Sequence, residues 1–323
     1  MQETQHQDVN AAAVALEKSE RVVCVSHRGP DGDTLGGMLT MSLALERMGK
    51  KVTRFCIDAA PKSLRFMAGT ERMVSDTGVF ADADTVCVFD AGDLRFANID
   101  TVIASLPNRP VVVNIDHHAT NELFGDVNCV VVGAASTTEV VYRILKALRA
   151  PIGPEMATML LTGLVVDTGQ FFNPATSSSA LQLAAELQRA GGDLKAVARA
   201  YNKNKTIDAL VLWGKVLERI KYDPVRSHVS TVIRLDDFGS MPANDDSVDG
   251  LANFLNSNLE ARTVLILKEM PDGIVKGSLR TSHDDTDVAA IALRFGGGGH
   301  RKAAGFTTRS KIVEKENEWT LET

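Results

Sequence analysis

The chain has 323 residues, 44% of them apolar and 24% charged, an ordinary globular balance that excludes the disordered and fibrous classes. That length exceeds what one hydrophobic core usually serves, so two domains are expected. The formal charge of −6 excludes a protein that coats long duplex nucleic acid through a uniformly basic face, and leaves room for a local basic pocket for a short anionic ligand.

The first ten residues, MQETQHQDVN, have neither the cationic start nor the apolar stretch of a signal peptide. No later run approaches the roughly 20 apolar residues of a membrane span, so a cytoplasmic protein without membrane contact is expected. After a short amphipathic stretch, apolar runs at 21–27, 51–58, 84–92 and 109–118 read as strands. Between the first two, residues 35–49 carry apolar side chains at helical spacing and end at Gly49. Further helices are expected at 136–150, 154–167 and 178–192. Strands alternating with helices are the signature of βαβ units and a mostly parallel sheet. The polar stretch AYNKNKT at 200–206 reads as a boundary zone, and a hinge through 191–206 would let the domains close.

Beyond Tyr222 the pattern becomes strand 228–235, helix 248–258, strands 262–270 and 273–281 joined by Pro-Asp-Gly, and helix 287–295. Proline presets the first residue of such a turn, and glycine tolerates positive φ. The expected fold is therefore α/β: a domain at 1–190 with a mostly parallel sheet flanked by helices, a linker and connecting helix at 191–221, and a smaller mixed-sheet domain at 222–323, with a cleft between the domains. Cys24, Cys56, Cys87 and Cys129 match neither a zinc ribbon nor a redox pair and read as reduced core residues.

The chemistry gathers where the candidate strands end, which is where open parallel sheets place their ligands. The first strand runs into HRGPDGD and delivers His27, Asp31 and Asp33 from one loop. The third ends at Asp90, the fourth at Asp116, His117 and His118, and the helix starting near Met156 delivers Asp167. Singly, an aspartate placed like Asp90 is more often a turn former or helix N-cap, and Asp167 reads equally well as a helix stop. Together they form a cluster of carboxylates that is costly unless cations neutralise it. Oxygen donors mixed with imidazole, without thiolate, suit Mn2+, Mg2+ or Fe2+. Two such ions can share a carboxylate and stabilise an in-line displacement at phosphorus.

With these residues the chain resembles the DHH phosphoesterase family, named for the Asp116-His117-His118 triplet. HRGPDGD is similar to its first motif, VFDAGD to its second, IDHHATNELFGD to its third and GLVVDTGQF to its fourth, while FGGGGHRKAAGF is similar to the motif of the DHH-associated C-terminal domain. The resemblance implies two Mn2+ ions, with Mg2+ or another divalent metal as substitute. One would be held by His27, Asp31 and Asp90, the other by Asp33, Asp90, His117 and Asp167. It also implies that His118 faces the scissile phosphate and that Asp116 orients an imidazole.

For substrate binding, the run Gly296 to Gly299 (including Gly297, Gly298 and Gly299) is expected to be a loop whose amides approach a phosphate, with His300 at its end and Arg262, Arg280 and His283 at the ends of neighbouring strands. By itself such a run reads as a flexible loop, and the resemblance is what makes it a binding motif. The two-domain layout is similar to the nanoRNase type. That type implies hydrolysis of short 5′-phosphorylated RNA oligonucleotides, chiefly dinucleotides such as pApA or pGpG, by a homodimer. The alternatives are 3′-phosphoadenosine 5′-phosphate, a cyclic dinucleotide or pyrophosphate as substrate, or a sensor that binds nucleotides without turnover.

Overall fold

The computed structural model describes residues 2–172, 176–202, 206–239, 247–248 and 250–322, without the side chains of residues 2–7, 202 and 300. The chain divides into two compact units, Met1–Asn204 and Lys205–Thr323.

The first unit runs α1 (Gln2–Lys18), β1 (Arg21–Ser26), α2 (Gly32–Arg47), β2 (Lys51–Phe55), β3 (Met73–Val74), β4 (Thr85–Phe89), α3 (Asp100–Ser105), β5 (Val111–Asp116), β6 (Val127–Val130), α4 (Thr137–Ala147), α5 (Pro154–Asp167), α6 (Ser178–Arg189) and α7 (Leu194–Asn202). Its six strands lie in the order β3-β2-β1-β4-β5-β6, and every pair is parallel. A parallel sheet must be covered on both faces, which is why its central strands are continuous Val-rich runs rather than alternating ones. Val22, Cys24, Cys87, Phe89 and Val113 face one core with α1, α2, α4 and α5. Val23, Val25, Val86, Val88 and Val112 face a second, smaller core with Phe80, Ile99 and Ile103. All four cysteines are free and buried, as expected. The strand order reverses direction between β1 and β4, so their carboxyl ends open the crevice in which such sheets bind ligands.

The second unit comprises α8 (Ile207–Glu218), β7 (Lys221–Asp223), β8 (His228–Ile233), α9 (Leu251–Asn258), β9 (Thr263–Met270), β10 (Ile274–Arg280), α10 (Val288–Leu293), β11 (Gly298–His300), β12 (Ala303–Arg309), β13 (Lys311–Glu314) and β14 (Trp319–Glu322). A mixed sheet, β11-β12-β10-β9-β8-β7, has β8 and β9 parallel and its other pairs antiparallel. The β9–β10 connection is the expected Pro-Asp-Gly turn, with Asp272 at φ 64° and Gly273 at φ 71° supplying the two left-handed corners of a tight hairpin.

Two differences from the sequence expectation have physical causes. The edge strands β3 and β6 are short and partly exposed, so they lack the apolar run that marks β1, β4 and β5. The glycine run is not an open loop. Gly298 to His300 pair with β12, and Gly297 is held so close to Gly305 and Phe306 that any side chain there would overlap them. The segment 191–221 consists largely of α7, which gives Val197 to the first unit's core, and α8, which gives Leu212 and Val216 to the second unit's core. The hinge expected through 191–206 includes residues 203–205, which lie outside the described residues. No helix among the described residues is long and apolar enough to cross a membrane.

Candidate metal centre

His27 leaves the end of β1 and is 6% exposed. The turn after it is closed by Asp31, the N-cap of α2, whose Oδ1 accepts the amides of Asp33 and Thr34 at 2.9 and 3.1 Å. Capping fixes the Asp31 carboxylate beside His27, with Nε2 4.0 Å from Oδ1. Asp33 sits one residue into α2 and points across to α4, where its oxygens accept the amides of Thr137 (2.6 Å) and Thr138 (2.9 Å). A helix N-terminus is a natural seat for a carboxylate, since its first amides lack intrahelical partners and its dipole favours negative charge.

Asp90 follows β4 at φ 57°, a left-handed backbone that costs about 1–3 kcal/mol in a non-glycine residue. It is 5% exposed, and it stands at the middle of the group. Its Oδ2 lies 3.5 Å from His27 Nε2, while its Oδ1 lies 3.7 Å from His117 Nε2, 3.5 Å from His118 Nδ1 and 2.9 Å from the Thr137 hydroxyl, which donates to it. Asp116, fully buried at the end of β5, is engaged on both oxygens. Oδ1 accepts the amides of His117 (2.7 Å) and His118 (3.2 Å) and the Nδ1–H of His118 (2.8 Å), and Oδ2 accepts from Asn121 (2.6 Å). His118 is thereby fixed with Nε2 directed elsewhere, and its side chain is 47% exposed.

Asp167 is the last residue of α5 and brings Oδ2 to 3.0 Å from His117 Nε2. The chain then turns sharply through Gly169, Gln170 and Phe171, all at positive φ. Helix α5 approaches α2 and α4 so closely at Gly163 that any Cβ there would overlap Asp33 Oδ1 and the Thr138 side chain. Three donor groups result, each with its ligand atoms within 4.8 Å of one another: His27-Asp31-Asp90, Asp33-His117-Asp167, and Asp90-Asp116-His117-His118.

The electrostatics of this cluster follow from burial and mutual repulsion. Burial, then the carboxylates of Asp167 and Asp90, push Asp33 well above the usual range, and burial and Asp90 also raise Asp167. Burial works to raise Asp90 as well, but His27, His118 and His117 outweigh it and hold Asp90 low. For His117, burial opposes the charged form, yet Asp167, Asp33 and Asp90 overcome it and lift the pKa to about 10. Asp116 raises His118 against the effect of burial.

These residues fit a divalent metal. Nδ1 of His27 faces the Arg28 carbonyl at 2.8 Å, and Nδ1 of His117 faces the Ala134 carbonyl at 3.2 Å. A carbonyl only accepts, so each Nδ1 carries the proton. In the neutral ring, Nε2 then presents a lone pair to carboxylate oxygens. His117 Nε2 is buried and, despite its proximity to Asp167, lacks the alignment of a hydrogen bond. A lone pair aimed at carboxylates is repulsive unless a proton or a metal lies between them, and the raised pKa of His117 expresses the proton's side of that competition.

The residues assigned to substrate lie in the second unit. The register places His300, Ala303, Arg280 and Val264 in one row across β11, β12, β10 and β9, which gathers His300 and Arg280 near Arg262 at one end of the sheet. Arg280 donates Nε to Asn253 at 2.9 Å, Arg262 pairs with Asp285 at 2.5 Å, and His283 is exposed. The side chain of His300 lies outside the described residues. The amides of Gly296 and Gly297 bond to Leu293 and Ala292 at 3.0 Å each and close the end of α10. An anion nest built from those two amides is therefore corrected. What remains open is edge strand β11 at Gly298, where a Cβ would meet nothing within 4 Å.

Comparison with known proteins gives this geometry a family. The model of the DHH family, N-terminal domain, matches residues 21–164, and that of the DHHA1 domain matches residues 231–319. The chain thus carries a DHH-family N-terminal domain and a DHHA1 domain. The bifunctional oligoribonuclease and PAP phosphatase NrnA of Thermus thermophilus is 28% identical over 305 residues, covering 93% of this chain and 88% of its own. The NrnA of Bacillus subtilis is 22% identical, covering 88% of each chain. The crystal structure of an exopolyphosphatase-related protein from Bacteroides fragilis shares the fold, with a TM-score of 0.86 at 24% identity over 93% of this chain and 90% of that one.

In this DHH domain, sequence reasoning overlooked the residues that hold the donors. Thr137 and Thr138 belong to Ser-Thr-Thr-Glu, a capping-box pattern that marks a helix start without indicating that Asp33 sits on it. Asn121 lies inside the third motif, IDHHATNELFGD, but nothing in that motif singled it out as the donor to Asp116. Phe96, stacked on His27 at 4.7 Å between ring centres and 25° between planes, is also silent in sequence.

Proposed function

We propose that this DHH protein is a two-metal phosphodiesterase that hydrolyses short 5′-phosphorylated oligonucleotides, chiefly dinucleotides such as pApA or pGpG, to mononucleotides. The observation that carries the reading is Asp90, buried between two imidazoles whose Nε2 atoms face carboxylates from either side. His27, Asp31 and Asp90 would hold one ion, and Asp33, Asp90, His117 and Asp167 the other. Mn2+ is the proposed metal, from a donor set of oxygens and imidazole nitrogens. When bound, such ions supply Lewis acidity and charge neutralisation at phosphorus.

The chain's own residues do the rest. Asp33 is held on the α4 N-terminus, and Asp90 is tethered by Thr137, so the donors are preorganised. His118 faces the leaving oxygen. Asp116 accepts its Nδ1–H and stabilises the imidazolium, leaving Nε2 a proton to give as water adds to phosphorus and the P–O bond breaks. Arg262, Arg280, His283 and His300, with Gly297 and the β11 residues Gly298 and Gly299, would bind the substrate. The NrnA relatives support this reading, and their names also keep a PAP phosphatase activity beside it. A homodimer in the cytoplasm is the proposed setting.

The test is release of mononucleotide from pApA and pGpG with Mn2+, against chelated protein. Metal-dependent product from either supports the enzyme, whereas measurable binding without product from any short nucleotide would replace it with a sensor.

A further inference from the structure

Arg28 stands inside the first motif, between His27 and the turn that carries Asp31. Its guanidinium, exposed and over the Phe96 ring, makes no hydrogen bond or ion pair among the described residues. The acids that touch the backbone of the adjoining residues have other partners. Asp58 accepts the Gly29 amide at 2.8 Å, and Asp93 accepts the Phe96 amide at 2.7 Å and pairs with Arg95 at 3.3 Å. Arg28 is nonetheless held in place. Its amide donates to the Phe96 carbonyl at 3.2 Å, and its Cζ lies 5.9 Å from the centre of the Phe96 ring, the same ring that stacks on His27. His27 is 6% exposed and Phe96 41%, so the group runs from the buried donors outward to a cation at the surface.

An exposed arginine is ordinarily solvated and mobile. Here the cation is tied to the ring packed on a proposed metal ligand, and it is left without a counter-ion. A planar guanidinium with its donors unused and one face against an aromatic ring suits a phosphate, which it can grip through two parallel hydrogen bonds. The rings of Phe96 and His27 keep it away from Asp90. A substrate phosphate within its reach would thus be a neighbour of the one being cleaved.

We propose that Arg28, steadied by Phe96, binds a second, non-reacting phosphate of the substrate and so makes the DHH domain selective for nucleotides that carry one. The proposal rests on the phosphodiesterase reading above, and its ligand class is an anionic phosphate one position from the scissile bond. No bond is made or broken by Arg28, which makes it a substrate-binding residue rather than an acid or base.

The test compares wild type, Arg28→Ala, Arg28→Lys and Phe96→Leu on pApA and on bis(p-nitrophenyl) phosphate, a diester with no second phosphate. Arg28→Ala is expected to lower kcat/KM for pApA roughly tenfold to a hundredfold, mostly through KM, as for loss of a charge-assisted hydrogen-bond pair. The same variant should act on the diester within about twofold of wild type and bind Mn2+ with unchanged affinity. Arg28→Lys and Phe96→Leu should fall between, since one keeps only the charge and the other only the guanidinium. Equal losses on both substrates, a fall in Mn2+ affinity, or no change on pApA would each overturn the proposal. If the wild type hydrolyses neither substrate, the phosphodiesterase reading fails by itself. Calorimetric binding of pApA then decides the role of Arg28: weaker binding by Arg28→Ala supports it, and equal binding removes it.

Discussion

Asp90 shows how much one residue is asked to do. It accepts left-handed backbone, is buried, and sits within 3.7 Å of three imidazoles. Asparagine tolerates positive φ nearly as well as aspartate, so Asp90→Asn removes the charge without adding backbone strain, which alanine would do. That substitution is expected to cut Mn2+-dependent turnover by about a thousandfold or more and to weaken Mn2+ binding, with an unchanged circular dichroism spectrum. Activity near wild type would show that Asp90 is not shared by two ions. Thr137→Val tests the tether. It leaves a buried Asp90 oxygen without its 2.9 Å donor, and a loss of about tenfold in turnover is expected, since an orphaned acceptor costs about 1–3 kcal/mol.

At the scale of elements, three helices meet where Gly163 faces Asp33 and Thr138. Gly163→Ala would replace helix-unfavourable glycine, yet it forces α5 away from α2 and α4. Overpacking of this kind should destabilise the first unit by about 1–3 kcal/mol and reduce metal affinity in parallel, measured by thermal unfolding and Mn2+ titration. A stabilised variant with unchanged affinity would mean that the helices have room to part. Strands β1, β4 and β5 were readable in the sequence because burial on both faces makes them continuous apolar runs, and the acidic residues at their ends were readable for the same reason. Strands β3 and β6 were not, being short and at the edges. Nor was the partnership of Asp33 with α4, since the two lie more than a hundred residues apart in sequence and local pattern carries no record of packing. The glycine run misled for a related reason: glycine marks both open loops and close approaches that leave no space for Cβ, and Gly297 and Gly299 are of the second kind.

At the scale of the molecule, the two units carry different chemistry and can be observed separately. All six proposed metal donors lie in residues 1–204, while both tryptophans, Trp213 and Trp319, lie in residues 205–323, so tryptophan fluorescence reports the second unit. There Asp237, 6% exposed, receives Arg219 on both oxygens and the Arg234 amide at 2.8 Å. Burial alone would raise its pKa, but the Arg219 guanidinium and the amide outweigh it and hold the carboxyl below its usual value. The sign follows from linkage. The unfolded chain takes up this proton first, near pH 3.9, so the stabilisation is complete above that pH and disappears as pH falls through the lower folded value. Asp237→Asn should therefore cost about 1–3 kcal/mol at pH 7. Its difference from wild type should shrink steadily as pH falls below about 4, read from tryptophan fluorescence during urea unfolding. Other carboxylates titrate in the same range, which is why the difference between the two proteins, rather than either curve, carries the test. A gap that stays constant with pH would show that the Arg219 pair contributes through shape and not through charge.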